Sequence, residues 1–304
     1  MSALRLGTRR SSLARAQSEA VATAITAATG RPVRLVEVIT EGDRSSAPLA
    51  SIGGAGVFTH ALRDALRSGE VDLAVHSYKD LPTAAAPDLC VAAVPSREDP
   101  RDVVVSRSDA PLAGLPRGSR VGTGSPRRAA QLRALGYGLD VVDLRGNVDT
   151  RLRKVADGEV DAVVLARAGL ARLGRLEEVS EVLDADRMLP APAQGALALE
   201  CRADRADVLA AAAILDDPAT RAAVTAERAV LAALEAGCSA PVGALAHVTH
   251  DALSLRAVVV AVDGSRAVRL SATGAPSEAE VVGRRLAAAL LAEGADGLMG
   301  ERIP

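Results

Sequence analysis

In the stretch VGTGSPRRAAQL (Val121–Leu132) a short apolar run is followed by a serine, a proline and two arginines. Ser125 has N-cap chemistry and Pro126 suits the first helical position. Arg127 and Arg128 therefore fall in the first turn of a predicted helix. The macrodipole puts partial positive charge there, and unpaired backbone N–H groups converge on the same spot. Two cations at that end call for an anion. Arginine forks bind carboxylate or phosphate in bidentate fashion. GTGSPRR has neither the spacing of a P-loop nor the GxGxxG fingerprint of a dinucleotide site. Arg9, Arg145, Arg151 and Arg172 stand near other predicted strand ends or helix starts. Separated guanidinium forks suit a ligand with several carboxylates better than a single phosphate cluster.

HSYKDLP (His76–Pro82) is the second candidate. Lys79 and Asp80 lie just past an apolar strand. Asp80 is a carboxylate able to stabilise a developing cation or to move a proton; the alternative is a plain Lys–Asp surface turn ended by Pro82. Lys79 and Lys154 are the only lysines among 36 basic residues, which singles out Lys79. His76 reads as a packed histidine. The third candidate is Cys238, in the glycine-flanked loop EAGCSAPVG after a long amphipathic helix. A thiol in a loop can be reached and can react. Cys90 and Cys201 lie in apolar runs and read as inert core thiols. No CxxC occurs, and His247 and His250 have no ligand set around them, so neither a metal site nor a nucleophilic triad is supported.

The elements that must position these groups follow from periodicity. LRLGTRRSSLARAQ (Leu4–Gln17) and SRVGTGSPRRAAQL (Ser119–Leu132) share one plan of apolar strand, Gly-Thr, Arg/Ser turn and amphipathic helix. GEVDLAVHSYKDLP (Gly69–Pro82) parallels GEVDAVVLARAGLA (Gly158–Ala171) in the same way. The first half reads as strand, helix 11–28, strand 33–39, helix 57–68, strand 71–76. The second reads as strand 119–123, helix 126–135, strand 140–144, helix 147–157, strand 161–165. Unbroken apolar runs fit strands buried on both faces of parallel sheets, and βαβ units imply right-handed crossovers. Two α/β lobes follow, with ligands expected beyond the carboxyl ends of the strands. GALALEC (Gly195–Cys201) is another apolar strand that can return to the first lobe. Helix 218–235, strands 242–248, 253–262 and 266–273 and helix 277–293 make an α+β tail, with hairpin turns at His250–Asp251 and Asp263–Gly264.

Composition narrows the partners. The 304 residues carry a net charge of −2, with 49% hydrophobic and 24% charged residues, an ordinary globular balance without a basic field for nucleic acid. Phe58, Tyr78 and Tyr137 are the only aromatics, so base-stacking platforms are missing. No window has the length and purity of a membrane span, and the N-terminal residues do not read as a signal peptide. Three cysteines suit a reducing compartment. The expectation is a cytoplasmic protein with no membrane, nucleic-acid or metal partner.

GTRRSSLA, TEGD, HSYKDLP, REDPRD, GTGSPRRAAQL, LRGNVDTRL, DAVVLARAGLARLG, LPAPAQGALALECR and EAGCSAPVG, in this order along almost the whole chain, resemble the porphobilinogen deaminase (hydroxymethylbilane synthase) family. The resemblance implies an α/β fold of three domains: two periplasmic-binding-protein-like α/β lobes with a cleft between them, and a small α+β C-terminal domain with a three-stranded antiparallel sheet. Its boundaries would be 1–97 with 195–216, then 98–194, then 217–304. It implies a monomeric transferase of tetrapyrrole (haem) biosynthesis that condenses four porphobilinogen molecules head to tail into hydroxymethylbilane with release of ammonia. The growing chain would be built on a dipyrromethane cofactor joined by a thioether to Cys238. Loss of ammonia leaves an electron-poor azafulvene, the terminal pyrrole attacks it, and positive charge passes onto pyrrole nitrogens. The same resemblance assigns stabilisation of that charge to Asp80. It assigns Lys79, Thr123, Ser125, Arg127 and Arg128, with Asp80, to the cofactor, and Arg9, Ser11, Gln17, Arg145, Arg151 and Arg172 to substrate. Each ring brings an acetate and a propionate, and these would be the anions that the Arg127–Arg128 turn calls for.

The chain departs from the family pattern at four places. SIGGAGVFTHAL (Ser51–Leu62) resembles the family's active-site loop, where lysines are common at the positions of Ala55 and His60. Gly124 stands where a hydroxyl residue is usual, and Ala193 where glycine is usual. A low-activity paralogue and a two-lobed anion-binding protein are the competing readings.

Overall fold

The structure, a computed structural model, describes residues 2–39, 59–236 and 240–299. Cys238, Ala55 and most of the Ser51–Leu62 segment lie outside the described residues. By its internal contacts the chain divides into two compact units, Met1–Glu98 with Ala196–Arg221, and Asp99–Gly195 with Ala222–Pro304.

The first unit is built on β1 (Leu4–Thr8), which pairs in parallel with β2 (Val33–Glu37) and with β3 (Leu73–Ser77). Leu4, Leu6 and Leu73 have no exposed surface. One face of this sheet packs on Val21 and Ile25 of α1 (Ser12–Thr29). On the other lie Leu62, Ala65 and Leu66 of α2 (His60–Arg67). Helix α1 starts where its chemistry says it should: Ser11 accepts the N–H of Ala14 at 3.3 Å, and Gly30, at φ +69°, ends it in the left-handed region. Two further strands complete the sheet. β4 (Leu89–Ala93) forms one edge, and the returning strand GALALEC inserts between β4 and β3, antiparallel to both.

The second unit repeats the plan. β5 (Asp102–Ser106) precedes β6 (Arg120–Gly122), which is followed by α3 (Pro126–Ala134), β7 (Asp140–Val142), α4 (Val148–Ala156) and β8 (Ala162–Ala166). β6 pairs in parallel with β7 and β8, whereas β5 runs antiparallel to β8 and to β9 (Glu181–Val182). A short helix α5 (Arg167–Arg172) follows β8 directly. The returning strand of the first sheet is β10 (Leu197–Arg202). The sheet orders, β2-β1-β3-β10-β4 and β7-β6-β8-β5-β9, correspond strand for strand. The strands of the expected βαβ units pair in parallel, and each sheet becomes mixed through its inserted antiparallel strand, β10 in the first and β5 in the second. The interior strand DVVVS is buried along its whole length, and an apolar run of that kind fits a doubly covered antiparallel strand as well as a parallel one.

After α6 (Ala206–Ala213) and α7 (Pro218–Ala233), strands β11 (Val242–Thr249), β12 (Ala252–Val260) and β13 (Ala267–Gly274) form an antiparallel meander. Val230 of α7 and Val282, Leu286 and Leu290 of α8 (Ala279–Ala292) build a core against it. Gly283 of α8 permits that packing, since a Cβ there would collide with the carbonyl oxygen of Ala226. The other sheet face sets Leu245, Val258 and Val260 against Ala130 and Leu189. No helix among the described residues is long and apolar enough to cross a membrane.

Candidate active site

In the second unit the functional groups stand at the carboxyl ends of β6, β7 and β8, three neighbouring parallel strands. Thr123, at the end of β6, donates its N–H to Val142, and its hydroxyl accepts the N–H of Ser125. Ser125 caps α3 and accepts the N–H of Arg128 at 3.5 Å. That turn aims both guanidiniums into the protein, where Arg127 is 3% and Arg128 5% exposed. Between them lies Asp102 of β5, with no exposed surface, 2.8 Å from Arg127 Nη1 and 2.8 Å from Arg128 Nη2. Arg127 also donates to the carbonyl of Leu189, and Arg128 to that of Val164. Gln194 donates to Asp102 at 2.8 Å and to the carbonyl of Pro100 at 2.7 Å.

Among the described residues the nearest anion to the arginine turn is the protein's own Asp102, a partner that the sequence reading did not include. Burial opposes ionisation of Asp102, but the charges of Arg127 and Arg128 overcome it and hold the carboxyl well below its usual range. Burial, opposed by Asp102 and assisted by Arg128, lowers the pKa of Arg127. Two arginines against one carboxylate still leave one net positive charge, at the positive end of a helix.

More positive charge stands beside it. Arg151 of α4 donates to the carbonyl of Gly146 at 2.9 Å. Burial first, then Arg128 and Arg145, push its pKa down to about 10. Arg145 Nε is buried without a hydrogen bond among the described residues, and the Asp143 carboxylate stands off at 3.6 Å. Arg172 of α5 donates to the carbonyl of Gly195 at 2.6 Å. Arg151 is repelled by Arg128 and Arg145, and Arg145 has an orphaned buried N–H; this cluster fits a ligand rich in carboxylates. Gly124 belongs to this corner: a Cβ there would lie 2.8 Å from the carbonyl oxygen of Leu144 and 3.8 Å from Arg151 Nη2. In this chain a side chain at 124 needs a backbone shift first.

In the first unit the groups follow the carboxyl ends of β1 and β3, which are adjacent and parallel. Arg9 and Ser11 come after β1, and Gln17 of α1 is buried and donates to the Ser77 hydroxyl at 3.2 Å. Lys79 and Asp80 sit half-buried on a 3-10 turn, Tyr78–Asp80, directly after β3. The Asp80 side chain has no hydrogen bond or ion pair to any described residue. Beneath the turn, His76 Nε2 lies 3.3 Å from Glu200 of β10, and Arg63 of α2 holds the same carboxylate at 2.8 Å. Burial opposes the charge on Glu200, but His76 and Arg63 outweigh it and lower its pKa.

The sequence reading missed Asp102, Gln194 and Glu200. A charged residue opening or interrupting an apolar strand, as in DVVVS and LALECR, was the signal available. The reading also missed the significance of Ala193. It sits at φ +61°, fully buried, and its N–H is held at 2.6 Å by Glu227 of α7. Position 193 thus requires the left-handed region that glycine enters without strain.

The family profile described as "Porphobilinogen deaminase, dipyromethane cofactor binding domain" matches residues 4–210, and the profile of the C-terminal domain matches residues 221–292. The chain belongs to the porphobilinogen deaminase family. It is 61% identical to "Porphobilinogen deaminase 1" of Streptomyces coelicolor, over 99% of this chain and 98% of the relative. It is 58% identical to the porphobilinogen deaminase of Mycobacterium tuberculosis, over 97% of this chain and 98% of the relative. Among solved structures, the methionine binding protein MetQ aligns over 70% of this chain and 89% of its own, at 13% identity and a TM-score of 0.46. Membership makes the chain a transferase of porphyrin biosynthesis, acting on porphobilinogen with a dipyrromethane cofactor. The anion-binding-protein alternative is not favoured by these matches.

Proposed function

We propose that the carboxyl-end groups of the two α/β sheets divide the work of a porphobilinogen deaminase between chemistry and charge. The chain is read as three domains, with the cofactor anchored at Cys238 of the C-terminal one. When bound, the dipyrromethane supplies the pyrrole α-carbon from which the chain is extended. Arg127, Arg128, Lys79, Thr123 and Ser125 hold its carboxylates, and Arg9, Ser11, Gln17, Arg145, Arg151 and Arg172 hold those of incoming porphobilinogen. Asp80 stabilises positive charge on pyrrole nitrogens as each new carbon–carbon bond forms, and takes part in removing the proton that follows. Its half-buried carboxylate, unpaired among the described residues, supports that role. Preorganised groups of this kind contribute about 3–4 kcal/mol in comparable sites.

The observation that carries the charge half of the reading is the surplus of buried guanidinium around Asp102, with Arg151 pushed down to about 10. Asp102 fixes the geometry of the turn, and the remaining positive charge faces the ligand. Cysteine usage supports a cytoplasmic setting, and the family resemblance supports a monomer. Intact-mass measurement tests the anchor. The purified chain should carry the added mass of a dipyrrole, lost in Cys238→Ser, and turn over porphobilinogen. An unmodified chain without turnover would point instead to a low-activity paralogue or a binder.

A further inference from the structure

Cys90 and Cys201 take no part in the chemistry above. They stand opposite each other in the antiparallel pairing of β4 and β10. Their sulfurs lie 3.9 Å apart, and the Cys90 thiol lies 3.7 Å from the Cys201 carbonyl oxygen. Directly opposed residues of an antiparallel pair have Cα atoms about 4.5–5.5 Å apart, within the span of about 4.4–6.8 Å that a disulfide bridges. Cys201 is fully buried, whereas Cys90 is half-buried. The two are 111 residues apart in sequence, and the intervening chain includes all of Asp99–Gly195, which belongs to the other unit. β4 is the last strand before the chain leaves the first unit, and β10 is the strand on which it returns.

We propose that Cys90 and Cys201 form a redox-closable dithiol, which a peroxide converts into a cross-strand disulfide tying the outgoing strand to the returning one. Cys90, the more accessible thiol, reacts first. Its sulfur attacks a peroxide oxygen, the O–O bond breaks, and a sulfenic acid forms with release of water. The Cys201 sulfur then attacks the Cys90 sulfur. The S–S bond forms, the S–O bond breaks, and the hydroxyl leaves as water with the Cys201 proton. Two thiols lose two electrons and two hydrogens, and hydrogen peroxide is reduced to two waters. Burial, with Cys90 alongside, pushes the Cys201 thiol up to about 12, which makes it a poor first nucleophile at neutral pH. Contact with Cys90 makes it the resolving partner. The bridge closes a very long loop, the class in which a cross-link restricts the unfolded chain most.

The test is to treat the purified full chain with hydrogen peroxide, alkylate it in denaturant and digest it without reductant. The expected result is loss of two alkylatable thiols and of two hydrogens from the mass. A linked peptide pair should carry Cys90 and Cys201, and dithiothreitol should separate it. Cys90→Ser should leave Cys201 alkylatable after the same treatment. A Cys90 that proceeds to sulfinic acid while Cys201 stays alkylatable overturns the proposal, as does a bridge made through Cys238. The linked peptides are read on the unaltered chain, so the outcome does not depend on the variant folding.

Discussion

Replacing Asp102 with asparagine removes the one negative charge between two buried guanidiniums. The amide oxygen of the new side chain would still accept from Arg128 and Gln194, so the loss is chiefly electrostatic. The side chains of Arg127 and Arg128 are only 4% and 6% exposed, and water cannot screen them. Breaking a buried ion pair by removing one partner costs about 3–5 kcal/mol. In a unit of this size that is a fall in Tm on the order of 10 °C. The carboxyl pKa of Asp102 is held below its ordinary range when folded. Its stabilisation is therefore complete above the unfolded carboxyl pKa of about 4 and is lost only as pH falls through the lower folded value. The gap between wild type and Asp102→Asn should be full at pH 7 and should narrow below about pH 4. Calorimetry across that range measures the gap, and hydrogen exchange of α3 and β8 amides localises it. Adding Arg128→Gln should cost less than the sum of the two single changes, because it removes one of the stranded cations. A variant within about 1 kcal/mol of wild type at pH 7 would refute the assignment of Asp102 as the counter-ion, and so would a gap that widens towards acid.

Asp80→Ala should retain the dipyrrole in an intact-mass measurement and lose turnover by roughly 10²–10³-fold; near-normal turnover would remove Asp80 from the chemistry. Ala193→Gly should stabilise the chain by up to about 1 kcal/mol, since relief of a left-handed alanine of about 1–2 kcal/mol exceeds glycine's entropic cost of about 0.5–1 kcal/mol. An unfolding midpoint shifted downwards would show that the alanine methyl contributes more packing than its φ costs.

Local chemistry made most of this protein readable in one dimension. Ser125-Pro126 and Ser11 cap helices by rules that involve only near neighbours, and both helices start where those rules put them. Apolar periodicity marked β1, β3, β6, β8 and the C-terminal meander to within a residue or two, because each buries a face of its own. It also left β4, β5 and β9 unmarked. Such runs carry no record of strand direction or partner, so the antiparallel insertion of β10, and of β5 in the second sheet, emerged only with the pairing. The site divides in the same way. That Arg127 and Arg128 need an anion follows from their place in the first turn of α3. That Asp102, 26 residues away from Arg128, also pairs with both was decided by β5, the antiparallel neighbour of β8. Cys90 and Cys201 each looked inert alone, and only the register of β4 on β10 brings their sulfurs into contact across 111 residues of chain. Contacts of that separation are absent from any local pattern, because they exist only once the sheet has closed.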